Sequence, residues 1–282
     1  DNYLAKYDES GSYEMVRSGA YINYYPDEKK MSEGTYVAKQ NVDGAWEGVR
    51  DGIQKSYYID EQINYEINVS ARKDITGYWR SIKHGGWLRY YTNGTLDLSQ
   101  NYEAKQNDNG VWVGLRSGQV TGYFEDKSPR RFENFVVRKN NGIWQSLEEG
   151  AYVRNYENGI KSVDVNFSVK QNSDGSYTSV LEGAYLSDFS GGNLGVGGVG
   201  TYVAKQNDDG SWIGLPDGKF TFYKDQAKEI IRSVYHRTLR KGGNGVWVSL
   251  YEGAFWGYFH DKDIVKVEGS YEVWLSNGVW MN

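Results

Sequence analysis

Acid–base or metal chemistry in this chain would have to come from His84, His236 and His260, from the acidic pairs Asp8-Glu9, Asp60-Glu61, Glu148-Glu149 and Asp208-Asp209, or from the Asp261 to Asp263 segment. A general acid or base works only with partners that converge on one reacting atom. His84 falls in one repeat and His236 and His260 stand 24 residues apart in another, with no serine or acidic partner at a telling spacing, and each reads as a surface or turn residue. Paired carboxylates can serve glycoside hydrolysis, yet several of these pairs recur at equivalent turns, which turn chemistry explains and a single active site does not. Asn207-Asp-Asp-Gly210 comes nearest to a calcium loop, but it lacks the longer ligand run and distal glutamate and reads as a hairpin turn. Gly191 to Gly200 has no Gly-Lys-Ser/Thr ending and no helix after it, so it is not a phosphate loop. With no cysteine there is no thiolate nucleophile, disulfide or cysteine-built zinc site. Neither a cofactor nor a metal is expected. Asn68, Asn93 and Asn166 stand in glycosylation sequons, which matter only in a eukaryotic secretory setting.

One feature has the spacing of a binding surface. Trp46, Trp79, Trp112, Trp144, Trp212 and Trp247 each follow a turn glycine by two residues, and Tyr58 and Tyr91 close regularly spaced Tyr-Tyr pairs. Rings in a row can stack on sugars or anchor a protein partner. These eight residues are the binding candidates. The simpler reading of a ring that recurs beside glycine is a core between repeats.

The elements that carry these residues repeat every 33 positions. Tyr3-Leu-Ala-Lys6 returns as Tyr36-Val-Ala-Lys39, Tyr102-Glu-Ala-Lys105 and Tyr202-Val-Ala-Lys205, with variants beginning at Val69, Phe135 and Phe167. A turn glycine, an aromatic two residues later and a second glycine six residues beyond follow each time, as in Gly110, Trp112 and Gly118. Such a period marks a repeat array. Repeats start near 3, 36, 69, 102, 135, 167, 202 and 235, and a partial one spans 271–282, so 1–282 reads as a single array. The glycine-rich run Ser190 to Gly200 is the one candidate flexible insertion and reads as a longer turn.

Between turns the pattern alternates strictly. Ile63, Tyr65, Ile67, Val69 and Ala71 occupy one parity against Asn64, Glu66, Asn68, Ser70 and Arg72, as in a strand with one dry and one wet face. Asn-x-Asp-Gly and Asn-Gly supply the positive φ of tight hairpin turns. The fold class is therefore all-β, an antiparallel meander of about 17 strands in a curved single-layer or rolled sheet. An eight-bladed propeller and a β-barrel are the alternatives. Glycines after each tryptophan, such as Gly114, predict a bend with the ring of one repeat packed over a neighbour's glycines.

Gly86-Trp87-Leu-Arg-Tyr90-Tyr91-Thr-Asn93-Gly94, followed by Tyr102 and Gly110-Val-Trp112, resembles the bacterial variant of the MORN repeat. Arg154 to Gly159 with Phe167 and Tyr177 is a second match. The other repeats carry about ten extra residues between the Gly-x-Trp and the Tyr-Tyr. The resemblance implies an elongated sheet of stacked hairpins used as a scaffold or binding surface for proteins and sometimes lipids, and it implies no activity.

Charge narrows the partner. With 32 basic and 37 acidic side chains the formal net charge is -5, which offers no footprint for a nucleic-acid backbone. No run approaches the roughly 20 apolar residues of a membrane-spanning helix, although that test does not address a barrel. Asp1-Asn2 begins without methionine or an apolar leader, as in a processed or trimmed chain. The expectation is a non-enzymatic repeat scaffold, extracellular or at the cell surface, that presents an aromatic-rich sheet to a protein or glycan partner or to a homo- or hetero-assembly. The rivals are a multivalent lectin and an outer-membrane-type β-barrel.

Overall fold

A computed structural model describes residues 2–7, 11–188, 197–223, 231–258, 265–276 and 279–281. The described chain is all-β, and its consecutive strands pair antiparallel. Four strands are interrupted once, at Ser18, Asp51, Glu149 and Glu252. Counting each of these as one strand leaves seventeen up to Tyr271, followed by the short pair Trp274–Ser276 and Val279–Met281. The expected number of about 17 thus matches the strands up to Tyr271 and omits the final short pair.

The chain forms two compact units. The first holds residues 1–129 and 135–146, and the second holds 130–134 and 147–282. In the first unit the strand Lys30–Gln40 shows the plan. Its first half lies between Gly19–Tyr24 and Gly52–Tyr57, whereas Val37 to Gln40 pair only with Trp46–Arg50. Each repeat is therefore continuous sheet toward its Tyr-Tyr turn and a free-standing hairpin toward its Asn-x-Asp-Gly turn. The change of partner falls at the second glycine. Gly19, Gly52, Gly85 and Gly118 all have φ between 69° and 91°, a region that costs other residues roughly 1–2 kcal/mol. The second unit repeats the plan, with Gly150, Gly183, Gly218 and Gly253 at the same station.

Both kinds of turn use one geometry. In Asn41 to Ala45 the Gly44 N–H donates to the Asn41 carbonyl at 3.1 Å and the Asn41 N–H to the Ala45 carbonyl at 2.9 Å, a type I turn closed by a residue at positive φ. At the Tyr-Tyr end the same pair of bonds closes Tyr58 to Gln62, with Glu61 at φ 65° where other repeats have Gly94 or Gly159. Glu28 and Lys127 do the same. These turns are legible from their position in the period rather than from their residue types.

The expected dry and wet faces appear in Gly19–Tyr24, where exposed and covered residues alternate, but not in Ile63–Lys73. Every residue of Ile63–Lys73 except the last is half-buried, so both faces of that strand are partly covered. Cover on both faces removes the contrast that alternation predicts. The fully covered core is small: in the first unit Leu98, Val120 and Phe135 pack together against Trp87. The last residues of the glycine-rich run are strand, since Gly197–Gln206 pairs on both sides, and 190–196 lie outside the described residues.

Candidate functional site

The six candidate tryptophans are engaged in architecture. Each is half-buried and donates its indole N–H to a backbone carbonyl of the preceding repeat: Trp46 to Tyr7, Trp79 to Gln40, Trp112 to Lys73 and Trp144 to Gln106 in the first unit, Trp212 to Gln171 and Trp247 to Gln206 in the second, at 3.0–3.1 Å. Trp280 adds a seventh such bond, to Lys241 at 2.9 Å. The cation that ends the Tyr-x-Ala-Lys motif lies over the ring of the next repeat. Lys6 sits 4.6 Å from the Trp46 centroid, Lys39 4.6 Å from Trp79 and Lys205 5.0 Å from Trp247. One face of each indole is thereby occupied by the protein itself.

Further ties surround the ring. The Trp79 amide donates to the Asn41 side chain at 3.1 Å and the Trp247 amide to Asn207 at 2.9 Å. The first residue within the turn reaches the next repeat's turn glycine, as in Val42 N–H to the Gly77 carbonyl and Asp208 N–H to the Gly245 carbonyl. Two residues past the tryptophan the neighbour is backbone, not the expected ring. A Cβ on Gly48 would fall 2.7 Å from the Arg17 carbonyl oxygen, and one on Gly214 2.4 Å from that of Leu181. Where serine replaces glycine, its hydroxyl donates to a carbonyl of the preceding repeat: Ser81 to Arg50 at 2.9 Å, Ser179 to Glu148 at 2.6 Å. At the opposite rim Tyr58 donates its hydroxyl to the Tyr90 carbonyl and Tyr91 to that of Tyr123, as Tyr25 does to Tyr57, at 2.8–2.9 Å. All eight candidates therefore tie one repeat to another.

The polar residues weighed for chemistry stay apart. His84 and His236 are exposed on separate strands. Asp8-Glu9, His260 and Asp261 to Asp263 lie outside the described residues. Asp208 pairs with Lys241, and Asp209 accepts the Ser211 amide and hydroxyl within its own turn. Hydrogen bonds from the hydroxyls of Thr76, Ser128, Ser176 and Ser211 hold Asp74, Asp126, Asp174 and Asp209 below the ordinary carboxylate range. No group of three metal-ligating side chains occurs among the described residues.

What sequence reasoning missed is a column of side chains two residues before each second glycine. In the first unit it reads Arg17, Arg50, Lys83, Arg116, at strict 33-residue intervals. Each cation pairs across the hairpin with the first residue of the Tyr-x-Ala-Lys motif: Tyr3, Tyr36, Val69 and Tyr102. All four are exposed. Each lies over an aromatic ring: Arg17 5.6 Å from the Tyr36 centroid, Arg50 5.9 Å from the same ring, Lys83 5.0 Å from Tyr102, Arg116 5.5 Å from Phe135. Burial raises the Tyr36 phenol, but hydrogen bonds from Arg50 and Arg17 outweigh it and leave the group below its ordinary value. A groove of about 640 Å³ opens here, lined by Tyr36, Gly48, Arg50, Trp79 and Ser81, with Glu47 the one carboxylate on its walls. Lining up the repeats by their second glycine would have found the column.

In the second unit the same column reads Glu148, Leu181, Pro216, Tyr251. The face is a run of rings, with Tyr185 4.8 Å from Tyr202, Tyr235 stacked on Phe255 at 6.1 Å and Phe255 4.7 Å from Tyr271. Gly200 and Gly269 leave room for the rings of Phe220 and Phe255. The cation and ring exchange strands once, with Arg237 in the motif position and 3.7 Å from the centroid of Tyr251.

No protein-family model matches the chain, and no curated protein matches it in sequence. Among solved structures it is similar to a porin-like protein from Bacteroides uniformis ATCC 8492, at 8% identity over 84% of this chain and 96% of that one. The TM-score of 0.18 is too low to carry an argument about fold or function. No helix of the described residues is long and apolar enough to cross a membrane.

Proposed function

We infer that the chain is a non-enzymatic, MORN-like hairpin array that presents a repeated surface to a macromolecular partner, outside the cell or at its surface. One observation supports this most: side chains that face outward recur at one position of the period, while the aromatic ladder is taken up by ties between repeats. Equivalent sites on a common backbone give many weak contacts that act together, and avidity then exceeds the affinity of any one site. Chemistry would instead need one repeat to gather converging polar groups.

The test is to incubate the intact chain with a panel of polysaccharides and proteins and to follow both retention and product release. The expected result is saturable binding with the ligand recovered unaltered and with the protein monodisperse in detergent-free buffer. Product release that scales with protein concentration would overturn the non-enzymatic reading. Solubility only in detergent would overturn the surface-array reading in favour of a membrane barrel.

A further inference from the structure

Resting on that reading of a repeated binding surface, we propose that the column Arg17, Arg50, Lys83 and Arg116 binds an acidic polysaccharide, a chain that carries one carboxylate per sugar. Among the described residues Arg50, Lys83 and Arg116 have no carboxylate within ion-pair distance, whereas Lys30, Lys55, Lys105 and Arg240 all pair with glutamates. Asp51, next to Arg50, accepts the Ala71 amide at 2.8 Å, and Glu47 and Glu103 stand on the opposite parity to Arg50 and Tyr102. In a chain of net charge -5, four exposed cations at one station of four successive repeats form a local exception to the overall sign. A clustered charge of one sign attracts the opposite sign despite the net charge.

The rings below decide how the cations are presented. Tyr36, Tyr102 and Phe135 hold them in place from beneath, so each guanidinium or ammonium is limited to a position above a ring rather than sweeping through solvent. Less side-chain freedom is then lost when an anion arrives. The planar fork of arginine suits a carboxylate.

The spacing disfavours a nucleic acid. Duplex DNA carries one charge per roughly 1.7 Å of axis, whereas the column offers one cation per repeat. Bases need free aromatic faces on which to stack, and here the cations cover the rings. A polyuronate, whose charge is sparser than a duplex's and whose carboxylates need no free ring face, fits better.

The experiment uses the intact chain, sodium polygalacturonate as the probe, and dextran and a poly(dT) oligonucleotide as the comparison arms. The expected result is binding to polygalacturonate that weakens with salt and no binding to dextran. Arg50→Gln/Arg116→Gln should bind polygalacturonate about tenfold more weakly, two exposed ionic contacts being removed. Lys161→Gln/Lys219→Gln, which removes the same charge from the second unit, should bind as the parent does. Equal weakening in both double variants, binding no tighter than to dextran, or tighter binding to poly(dT) would overturn the proposal. A melting curve close to the parent's shows that each variant is folded, and Lys83→Gln gives an independent single-site check should the double variant fail to fold. New reducing ends in the polygalacturonate sample would overturn the non-enzymatic reading instead, and so separate the two failures.

Discussion

The two units are built from one repeat and joined internally by the same ties, yet they differ at one column. Indole to carbonyl, backbone amide to asparagine and glycine or serine against backbone all occur in both. The column before the second glycine is Arg-Arg-Lys-Arg in the first unit and Glu-Leu-Pro-Tyr in the second. Residues that hold repeats together are constrained by a neighbour's backbone and hardly vary. Residues that face solvent are free to take a different character in each unit. That difference separates architecture from surface more sharply than residue type does, since tryptophan turns out to be architecture and arginine surface.

The largest test of this division is to crowd the tie itself. Gly48→Ala and Gly214→Ala place a methyl 2.7 Å and 2.4 Å from a carbonyl oxygen that cannot retreat, and each should cost roughly 1–3 kcal/mol in urea unfolding. The cost should be similar in the two units. A loss confined to one unit would break the equivalence.

Next in size, Trp112→Phe and Trp247→Phe keep an aromatic ring but remove one hydrogen bond and part of the half-buried indole, at about 1–2 kcal/mol each. By contrast Arg116→Gln should move stability by less than about 1 kcal/mol, because only an exposed cation–ring contact is lost. Were Arg116→Gln the more damaging, the column would be structural and the division wrong.

Acid should weaken the turns of both units together. Asp74, Asp126, Asp174 and Asp209 lie below their ordinary value of 3.8 in the folded chain, through hydrogen bonds from Thr76, Ser128, Ser176 and Ser211. Lys30 and Ser117 likewise lower Glu33 and Glu103 from 4.5. A lowered folded-state value stabilises the chain above the unfolded value and loses that stabilisation as pH falls through the folded one. The unfolding midpoint should therefore hold steady above about pH 5 and decline below about pH 4.5. A midpoint that stays flat to pH 3 would show these bonds absent.

The smallest expected effect is a gain. Glu61→Gly and Lys127→Gly relieve a positive φ at the Tyr-Tyr turns and should stabilise by about 0.5 kcal/mol, the strain relieved less the added freedom of glycine in the unfolded chain.

Strand number, turn position and the all-β class were legible because period and turn chemistry are local properties. The Asn41 turn follows from residue type and spacing alone. The burial of Ile63–Lys73 was not legible, because alternation assumes one sheet face in solvent, whereas both faces of that strand are partly covered. Nor was the role of the tryptophans, since the carbonyl each indole reaches lies about 40 residues back and carries no side-chain signature. The cation column was present in the sequence but hidden by rings and glycines, the more conspicuous residues. The division of the chain within the 129–155 hairpin has no marker in the repeat pattern, although the column changes character across it.

The central claim is that the tryptophan ladder ties repeats rather than binding a ligand, and hydrogen exchange of the indole N–H groups in the intact chain tests it most directly. Trp46, Trp79, Trp112, Trp144, Trp212, Trp247 and Trp280 should all exchange slowly, while Trp87, whose indole N–H has no acceptor among the described residues, serves as the fast reference. Exchange of the seven as fast as that of Trp87 would contradict the account.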